Sequence, residues 1–404
     1  MPDAQTPLTN GAVSLDLRAL QGLVDLLAEQ GFSVLGPTIR AGAVVPGRIT
    51  SLDDLPRGWG DTQEPGSYRL RRRDDDALFG YAADAISWKS VLFPSRELLW
   101  EGTRTGDGFS ITPGTTDGSG PNSSGPNSSG LGDPPYAVLG IRACDLHAVA
   151  IHDRVMQERD HPDVHYAARR RGAFLVTVSC SDPSGTCFCV SMGTGPRADS
   201  GYDLALTELL GEAVAEHTFL ARPGSDRGAA LLDRLRARPA AETDVRAAEE
   251  VVERSTQRMG RTMDTTDIRT LLYDNADHPR WDDVADRCLS CGNCTMVCPT
   301  CFCTSAEDHT SLAGDRTEHW RVWDSCFTTD FSYLHGGSVR TSPKSRYRQW
   351  MTHKLASWID QFGTSGCVGC GRCLTWCPVG IDITEEVAAI RADPQPPFGQ
   401  GGDG

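Results

Sequence analysis

The sequence predicts an α/β N-terminal domain with a partly parallel sheet, followed by a smaller helical C-terminal domain. Its 404 residues are enough for two or three domains at ~150 residues each. A strand, helix and strand pattern lies at 136–178, and 11 of the 15 cysteines fall within 281–392. The chain therefore divides into a sheet-forming part and a cysteine-rich part.

The predicted N-terminal domain covers residues 1–240. Apolar residues recur at helical spacing from Ser14 to Gln30 and Gly31 follows them, which predicts an amphipathic opening helix. Between 112 and 135 the composition falls to Gly, Ser, Asn, Pro and Thr, with GPNSS written twice. Such a segment has too little apolar surface to fold, so we expect 112–135 to be a disordered low-complexity loop.

A βαβ unit is predicted directly after this loop. YAVLGI at 136–141 and AFLVTV at 173–178 are uniformly apolar, as buried strands of parallel sheets are. DLHAVAIHDRVM at 145–156 has a helical pattern and lies between them. Because the two strands of a βαβ unit are parallel, the residues that follow them should meet at one edge of the sheet.

The rest of the chain is predicted to be helical. Residues 241–280 are polar with interleaved charges, so we expect a helical connection. Residues 281–392 form the predicted C-terminal domain, in which Ser342 and Pro343 are a suitable cap and first turn for a helix. Residues 393–404 are rich in Pro and Gly and predict a disordered tail.

Composition excludes several classes of partner. No apolar run approaches the ~20 residues that a membrane span needs. The net charge of −15 and pI near 5.1 argue against nucleic acid and anionic membranes, which both need a basic surface. Of the 39 basic residues 36 are arginine, and the three lysines are Lys89, Lys344 and Lys354. The first ten residues have no secretory pattern, so we expect a cytoplasmic protein.

Fifteen cysteines in a protein of the reducing cytoplasm indicate metal or redox chemistry. Two segments, CLSCGNCTMVCP and CVGCGRCLTWCP, share the spacing C-x2-C-x2-C-x3-C-P. The first cysteine run comprises Cys288, Cys291, Cys294 and Cys298, and the second comprises Cys367, Cys370, Cys373 and Cys377. Zinc sites prefer paired C-x2-C knuckles, whereas this spacing is typical of [4Fe-4S] clusters, whose fourth cysteine binds the other cluster.

Exchange of the fourth cysteine predicts two ligand sets. The first ligand set is Cys288, Cys291, Cys294 and Cys377, and the second is Cys367, Cys370, Cys373 and Cys298. The long separation between the two runs favours a helical ferredoxin-like domain with two [4Fe-4S] clusters over the small β-hairpin ferredoxin. Two clusters that share their runs must lie close together, which suits the transfer of single electrons.

Four more cysteines fall in the N-terminal domain. We call Cys144, Cys180, Cys187 and Cys189 the N-terminal thiol group. Cys144 and Cys180 follow the two predicted parallel strands, and the turn at Pro183–Gly185 brings the CFC segment back towards them. Two interpretations stay open: a third cluster on these four thiols, or ordinary buried cysteines.

The remaining cysteines are Cys301, Cys303 and Cys326, and we expect them to line the cluster pocket or to pack in the core rather than to bind iron. No Gly-x-Gly-x-x-Gly follows a strand and no Walker loop occurs, so no nucleotide or flavin site is recognised. No catalytic acid, base or nucleophile stands out either. The chain alone should therefore catalyse nothing.

The segments IRACD, VSCSDPSGTCFCVSMGTGP, CLSCGNCTMVCPTCFC, WDSC and CVGCGRCLTWCP, with SWKSVLFP upstream, carry a resemblance. They resemble the iron–sulfur β subunit of soluble NAD(P)-linked nickel–iron hydrogenases of the sulfhydrogenase type. The A subunit of anaerobic sulfite reductase is closely similar. The likeness runs from about Leu15 to Ile390, and the insert at 112–135 departs from the family pattern.

This resemblance implies an electron-transfer subunit. Its partners would be a flavin subunit that handles NAD(P)H and the small and large subunits of a [NiFe] hydrogenase, which fits the missing nucleotide motif. A second hypothesis is the electron-input subunit of an anaerobic sulfite reductase. A third, of another class, is an iron–sulfur redox sensor that signals by cluster loss, although the chain carries no DNA-recognition motif.

Overall fold

A computed structural model describes residues 11–83, 85–114, 135–158, 160–210, 216–235 and 237–394. Most of the predicted loop at 112–135 and of the predicted tail at 393–404 lies outside these described residues, as do the first ten residues. Those three predictions therefore stay predictions.

The strands of the described residues are numbered in chain order. They are β1 Val13–Asp16, β2 Ser33–Arg40, β3 Ala43–Arg48, β4 Trp59–Glu64, β5 Ser67–Arg72, β6 Arg96–Thr105, β7 Gly108–Pro113, β8 Tyr136–Ile141, β9 Phe174–Val178, β10 Leu204–Leu209, β11 Thr218–Pro223, β12 Arg238–Pro239, β13 Thr304–Thr310, β14 Arg316–Trp323, β15 Tyr333–Leu334 and β16 Gly337–Ser338.

The α-helices of the same residues are α1 Leu17–Glu29, α2 Lys89–Leu92, α3 Ala143–Met156, α4 Val164–Gly172, α5 Asp226–Arg234, α6 Glu242–Gln257, α7 Ile268–Asp274, α8 Arg280–Arg287, α9 Asn293–Met296, α10 Pro343–Thr352, α11 Trp358–Phe362, α12 Arg372–Thr375 and α13 Ile383–Ala392. A short 3-10 helix spans Leu52–Asp54, and a π-helical turn, His353–Ser357, joins α10 to α11. No helix in this part of the chain is long and apolar enough to cross a membrane.

An eight-stranded mixed sheet forms the centre of the N-terminal region. Its strand order is β12-β1-β11-β10-β9-β8-β2-β3. The pairs β2/β8, β8/β9 and β9/β10 are parallel, and the other pairs are antiparallel. The predicted partly parallel sheet is therefore confirmed, and β8, α3 and β9 form the predicted βαβ unit.

Helices cover this sheet because their apolar faces match its buried residues. In α1, Leu20, Leu23 and Leu27 are buried against the sheet core, and the side chain of Asp16 caps the helix by accepting from the backbone N–H of Ala19 at 2.7 Å. The opening helix thus begins three residues later than predicted, since Ser14 belongs to β1. In the 241–280 segment, α6 packs on strands β10 and β11 of the sheet.

A second, four-stranded sheet has the order β13-β14-β6-β7. Its two halves come from distant parts of the chain, because β14 of the cysteine-rich region pairs antiparallel with β6 of the N-terminal region. The cysteine-rich region is therefore not wholly helical. Strand β13 is polar and mostly exposed, and only Trp320 of β14 is buried, so the apolar periodicity that reveals buried strands is missing from the hairpin sequence.

Helices α8, α10, α13 and the π-helical turn enclose the core of the cysteine-rich region. Ser342 caps α10 by accepting from the backbone N–H of Ser345 at 3.2 Å, with Pro343 in the first turn, as predicted. Trp281, Trp350 and Leu355 are buried in this core beside several of the cysteines. The core thus supplies apolar walls around the thiols.

Candidate iron–sulfur centres

The two cysteine runs adopt the same backbone conformation. The third residue of each run, Ser290 or Gly369, has a positive φ of 51° or 64°, and the fifth, Gly292 or Gly371, has 75° or 74°. A short helix, α9 or α12, then begins at the next residue and carries the third cysteine. Since a residue in the left-handed conformation turns the chain sharply, each of the two loops directs its own cysteines inward.

Backbone amides in these loops donate to cysteine sulfurs. The N–H of Ser290 lies 3.4 Å from Cys288 Sγ, and the N–H of Gly369 lies 3.5 Å from Cys367 Sγ. The N–H of Ile381 donates to Cys377 Sγ at 3.3 Å. Such donors stabilise thiolates and set the potential of a cluster bound to them, so the donor set fits an anionic iron–sulfur centre.

The first ligand set lines one pocket together with Phe327, Tyr347 and Trp350. Burial raises the pKa of Cys294, and the neighbouring Cys288, Cys377 and Cys291 raise it further. The structure therefore brings together the four thiols that exchange of the fourth cysteine predicts. Cys291 is exposed, whereas the other three are at least half-buried, so this set opens towards the surface.

The second ligand set lies deeper. Burial raises the pKa of Cys373, with further contributions from Cys367, Cys370 and Cys298, which places the four predicted thiols around one centre. Burial likewise raises the pKa of the Cys367 thiol to about 12. The raised pKa means that loss of the proton from this buried thiol is unfavourable. Bound iron would compensate the charge of the thiolate, because the metal takes the place of the proton.

No group of three or more His, Cys, Asp or Glu side chains within the described ranges is spaced to hold a single metal ion. In a [4Fe-4S] cluster each thiolate binds a different iron, so its four sulfurs stand farther apart than those around one zinc ion.

The ammonium of Lys354 is a part of this site that the sequence analysis did not identify. It lies in the π-helical turn, is only 5% exposed, and donates to Cys298 Sγ at 3.2 Å, to Thr300 Oγ1 at 3.0 Å and to Gly366 O at 3.2 Å. Such π-helical turns are frequent at functional sites. The available signal was the rarity of lysine, because two of the three lysines, Lys89 and Lys354, are buried among cysteines.

The N-terminal thiol group lies against the second cysteine run. The N–H of Phe188 donates to the carbonyl of Gly369 at 2.8 Å, and the hydroxyl of Thr194 donates to the carbonyl of Val368 at 2.6 Å. Burial raises the pKa of Cys187 to about 12, with a further contribution from Cys180. The pKa of Cys189 rises for the same reason, and Cys187, Cys180 and Cys370 add to it.

Cys144 joins this group from the start of α3. It packs with Cys189, Trp358 and Val368, and burial is the main cause of its strongly raised pKa. Cys144 precedes Asp145, which forms a buried ion pair with Arg372 of the second cysteine run. The sheet edge and the second cysteine run are thus joined at this point.

Comparison with known proteins agrees with this geometry. Residues 287–381 match the family model of a 4Fe-4S dicluster domain. The chain is 31% identical over 263 residues to sulfhydrogenase 2 subunit beta of Pyrococcus furiosus, which covers 64% of this chain and 75% of that protein. This chain belongs to the sulfhydrogenase β-subunit family. No solved structure matches it.

As a sulfhydrogenase β-type chain, the protein is an iron–sulfur electron-transfer subunit of a hydrogenase. The dicluster match encloses both cysteine runs, and the predicted presence of [4Fe-4S] clusters is confirmed at that level. The assignment of individual cysteines to clusters and the number of clusters stay predictions.

The last three cysteines of this sulfhydrogenase β-type chain lie beside the two predicted ligand sets. The side chain of Cys301 lowers the pKa of Cys298, and the side chain of Cys326 lowers the pKa of Cys303. Cys301 also lies 3.6 Å from the ammonium of Lys354. Their predicted place around the cluster pocket agrees with these contacts.

Proposed function

We propose that the chain relays electrons between a flavin subunit that handles NAD(P)H and a [NiFe] hydrogenase module. A [4Fe-4S] cluster accepts and returns one electron at a time. The first ligand set would hold one cluster and the second ligand set another. The chain's own residues bury these centres, donate hydrogen bonds to their sulfurs and keep the two centres adjacent.

The observation that carries this proposal is the backbone conformation that the two cysteine runs share, which fits the predicted exchange of their fourth cysteines. Cys294 of the first ligand set and Cys298 of the second are four residues apart, and Cys298 raises the pKa of Cys294. Two centres whose ligands lie this close in the chain would be adjacent. This proximity supports electron transfer and offers no place for a substrate between them.

We further propose a third [4Fe-4S] cluster on the N-terminal thiol group. Two features support it: four thiols from two parallel strand ends and a returning loop, and backbone pairing with the second cysteine run. The competing interpretation is a set of inert buried cysteines. Contact of this group with Cys370 would extend the electron path from the second centre into the N-terminal region.

Partners follow from the same reasoning. The sequence shows no nucleotide or flavin motif, so a donor and an acceptor must come from other subunits. The relative in Pyrococcus furiosus is named as a subunit of a sulfhydrogenase, which favours a hydrogenase complex over a sulfite reductase.

Mass spectrometry of the affinity-purified protein tests this proposal. We expect a flavin subunit together with the large and small hydrogenase subunits. Recovery of a siroheme sulfite reductase subunit instead would replace the hydrogenase assignment with the second hypothesis. A chain that purifies as a stable monomer and binds promoter DNA would replace it with the sensor.

A further inference from the structure

The hairpin β13–β14 brings two of the unassigned cysteines together at its open end. Its register pairs Thr304 with Trp323, so the preceding Cys303 lies opposite Asp324. The backbone N–H of Asp324 donates to the carbonyl of Cys303 at 2.8 Å. Cys326 follows two residues beyond this last pair. The strand register therefore places both cysteines at the open end of the hairpin.

The Cys303 and Cys326 thiols interact electrostatically. The side chain and the backbone N–H of Cys326 lower the pKa of Cys303 to about 7, and Cys303 raises the pKa of Cys326. Both residues are only half-buried. A stabilised thiolate beside a second, accessible thiol is the arrangement found in reactive cysteine pairs.

Two buried ammonium groups make the surroundings electropositive. Lys89 Nζ donates to the carbonyl of Cys301 at 2.9 Å and lies 3.8 Å from the centre of the Trp323 ring. Lys354 Nζ lies 3.6 Å from Cys301 Sγ. Each lysine is 5% exposed, and a buried cation needs an anionic partner. The electrostatic interaction of both lysines with Cys303 favours its thiolate form.

The pair lies between the two predicted ligand sets. Cys294 of the first ligand set acts on the titration of Cys326, and the hydroxyls of Thr295 and Ser325 hydrogen-bond at 2.7 Å. On the other side Cys298 of the second ligand set and Cys303 both raise the pKa of Cys301. The pair is thus connected to both proposed centres through one or two side chains.

We propose that Cys303 and Cys326 are a redox-active dithiol that exchanges two electrons with the two [4Fe-4S] clusters beside it. Oxidation forms one S–S bond from two thiols and releases two protons to solvent and two electrons. Two oxidised clusters each accept one of these electrons, and the reverse reaction restores the thiols. The inference rests on the proposed function, because it needs both clusters as one-electron partners. The dithiol would store an electron pair on a path that otherwise carries single electrons.

Thiol mapping across a series of potentials tests this inference. The full-length chain, with its clusters reconstituted anaerobically, is poised at each potential, alkylated, digested and analysed by mass spectrometry. We expect peptides joined by a Cys303–Cys326 disulfide at high potential and two alkylated thiols at low potential. The ratio of the two forms should change tenfold per ~30 mV, as a two-electron couple requires.

Matched variants separate a dithiol from a metal site. Cys326→Ser should abolish the disulfide and leave Cys303 alkylatable at every potential, with the iron content unchanged. Cys301→Ser, a neighbour outside the pair, should leave the disulfide in place. Loss of about four irons in Cys326→Ser would identify a cluster ligand and overturn the dithiol, as would full alkylation of both thiols at every potential in the wild type.

The same sample distinguishes failure of the two proposals. An iron content below 8 per wild-type chain, with a reversible disulfide still present, would overturn the proposed pair of clusters and remove their part in the exchange. An iron content of 8 or more without a disulfide at any potential would leave the electron-transfer function intact and overturn the dithiol.

Discussion

Arg372 and Asp145 form a bidentate ion pair with N···O distances of 2.9 and 2.8 Å, and their side chains are 1% and 2% exposed. Arg372 lies within the second cysteine run, and Asp145 follows Cys144 at the start of α3. The pair therefore fixes the second ligand set against the N-terminal thiol group. Removal of one partner leaves the other charge buried without this ion pair, which is costly.

We predict that Asp145→Ala lowers the free energy of unfolding by about 3 to 5 kcal/mol, because Arg372 stays buried without its carboxylate. Chemical denaturation of the anaerobic protein measures this. Glu250→Ala, which breaks the exposed pair of Glu250 with Arg254, is the matched control and should change stability by less than about 1 kcal/mol. Equal effects of the two variants would contradict the assigned importance of the buried pair.

A substitution in the second ligand set tests the electron path. Cys370→Ala removes one of four thiolates, so we predict loss of NAD(P)-linked turnover in the assembled complex. Hydrogen oxidation with an artificial dye should persist, since the dye takes electrons before they reach this subunit. Both activities are measured on the same preparation. Survival of both at the wild-type rate would show that the path does not use this centre.

Iron counting decides the third cluster. Two clusters carry 2 × 4 = 8 irons and three carry 12, so we predict 12 per chain after anaerobic reconstitution. Cys187→Ala should lose about four of them, while the signals of the other two clusters remain, because their eight predicted ligands lie in the two cysteine runs. A wild-type count near 8 that Cys187→Ala leaves unchanged would make the N-terminal thiol group structural.

The ammonium of Lys354 should raise the reduction potential of the second centre. A positive charge donating to Cys298 Sγ stabilises the more negative, reduced cluster. We predict that Lys354→Met lowers this potential by roughly 60 mV, the equivalent of about 1.4 kcal/mol for one electron. Potentiometric titration followed by electron paramagnetic resonance measures it, with Lys354→Arg as the charge-retaining control. A potential that is the same in Lys354→Met and the wild type would exclude this role.

Much of the fold could be predicted from local patterns. The strands β8 and β9 are uniformly apolar and the helix α10 has a clear cap, so the type and the order of these elements follow from the sequence. The hairpin β13–β14 could not be predicted, because its strands are polar and their partner β6 lies some 200 residues away along the chain. A strand whose stability depends on a distant edge carries little local signal.

The same division applies to the site. The spacing of the two cysteine runs is a local property, and it predicted the two ligand sets that the fold brings together. The contact of Cys303 with Cys326 depends on strand register, and the contact of Lys354 with Cys298 depends on a π-helical turn. Neither register nor a one-turn change of helix type can be deduced from residue order alone.

The four-stranded sheet has a consequence for biosynthesis. When β6 and β7 leave the ribosome, β14 has not yet been made, so one edge of β6 waits unpaired while the intervening residues are translated. The nascent chain can close this sheet only after the first cysteine run has emerged. Strand closure and the gathering of the thiols are therefore late events, and a chain stopped before β14 retains an open strand edge that can pair with another copy.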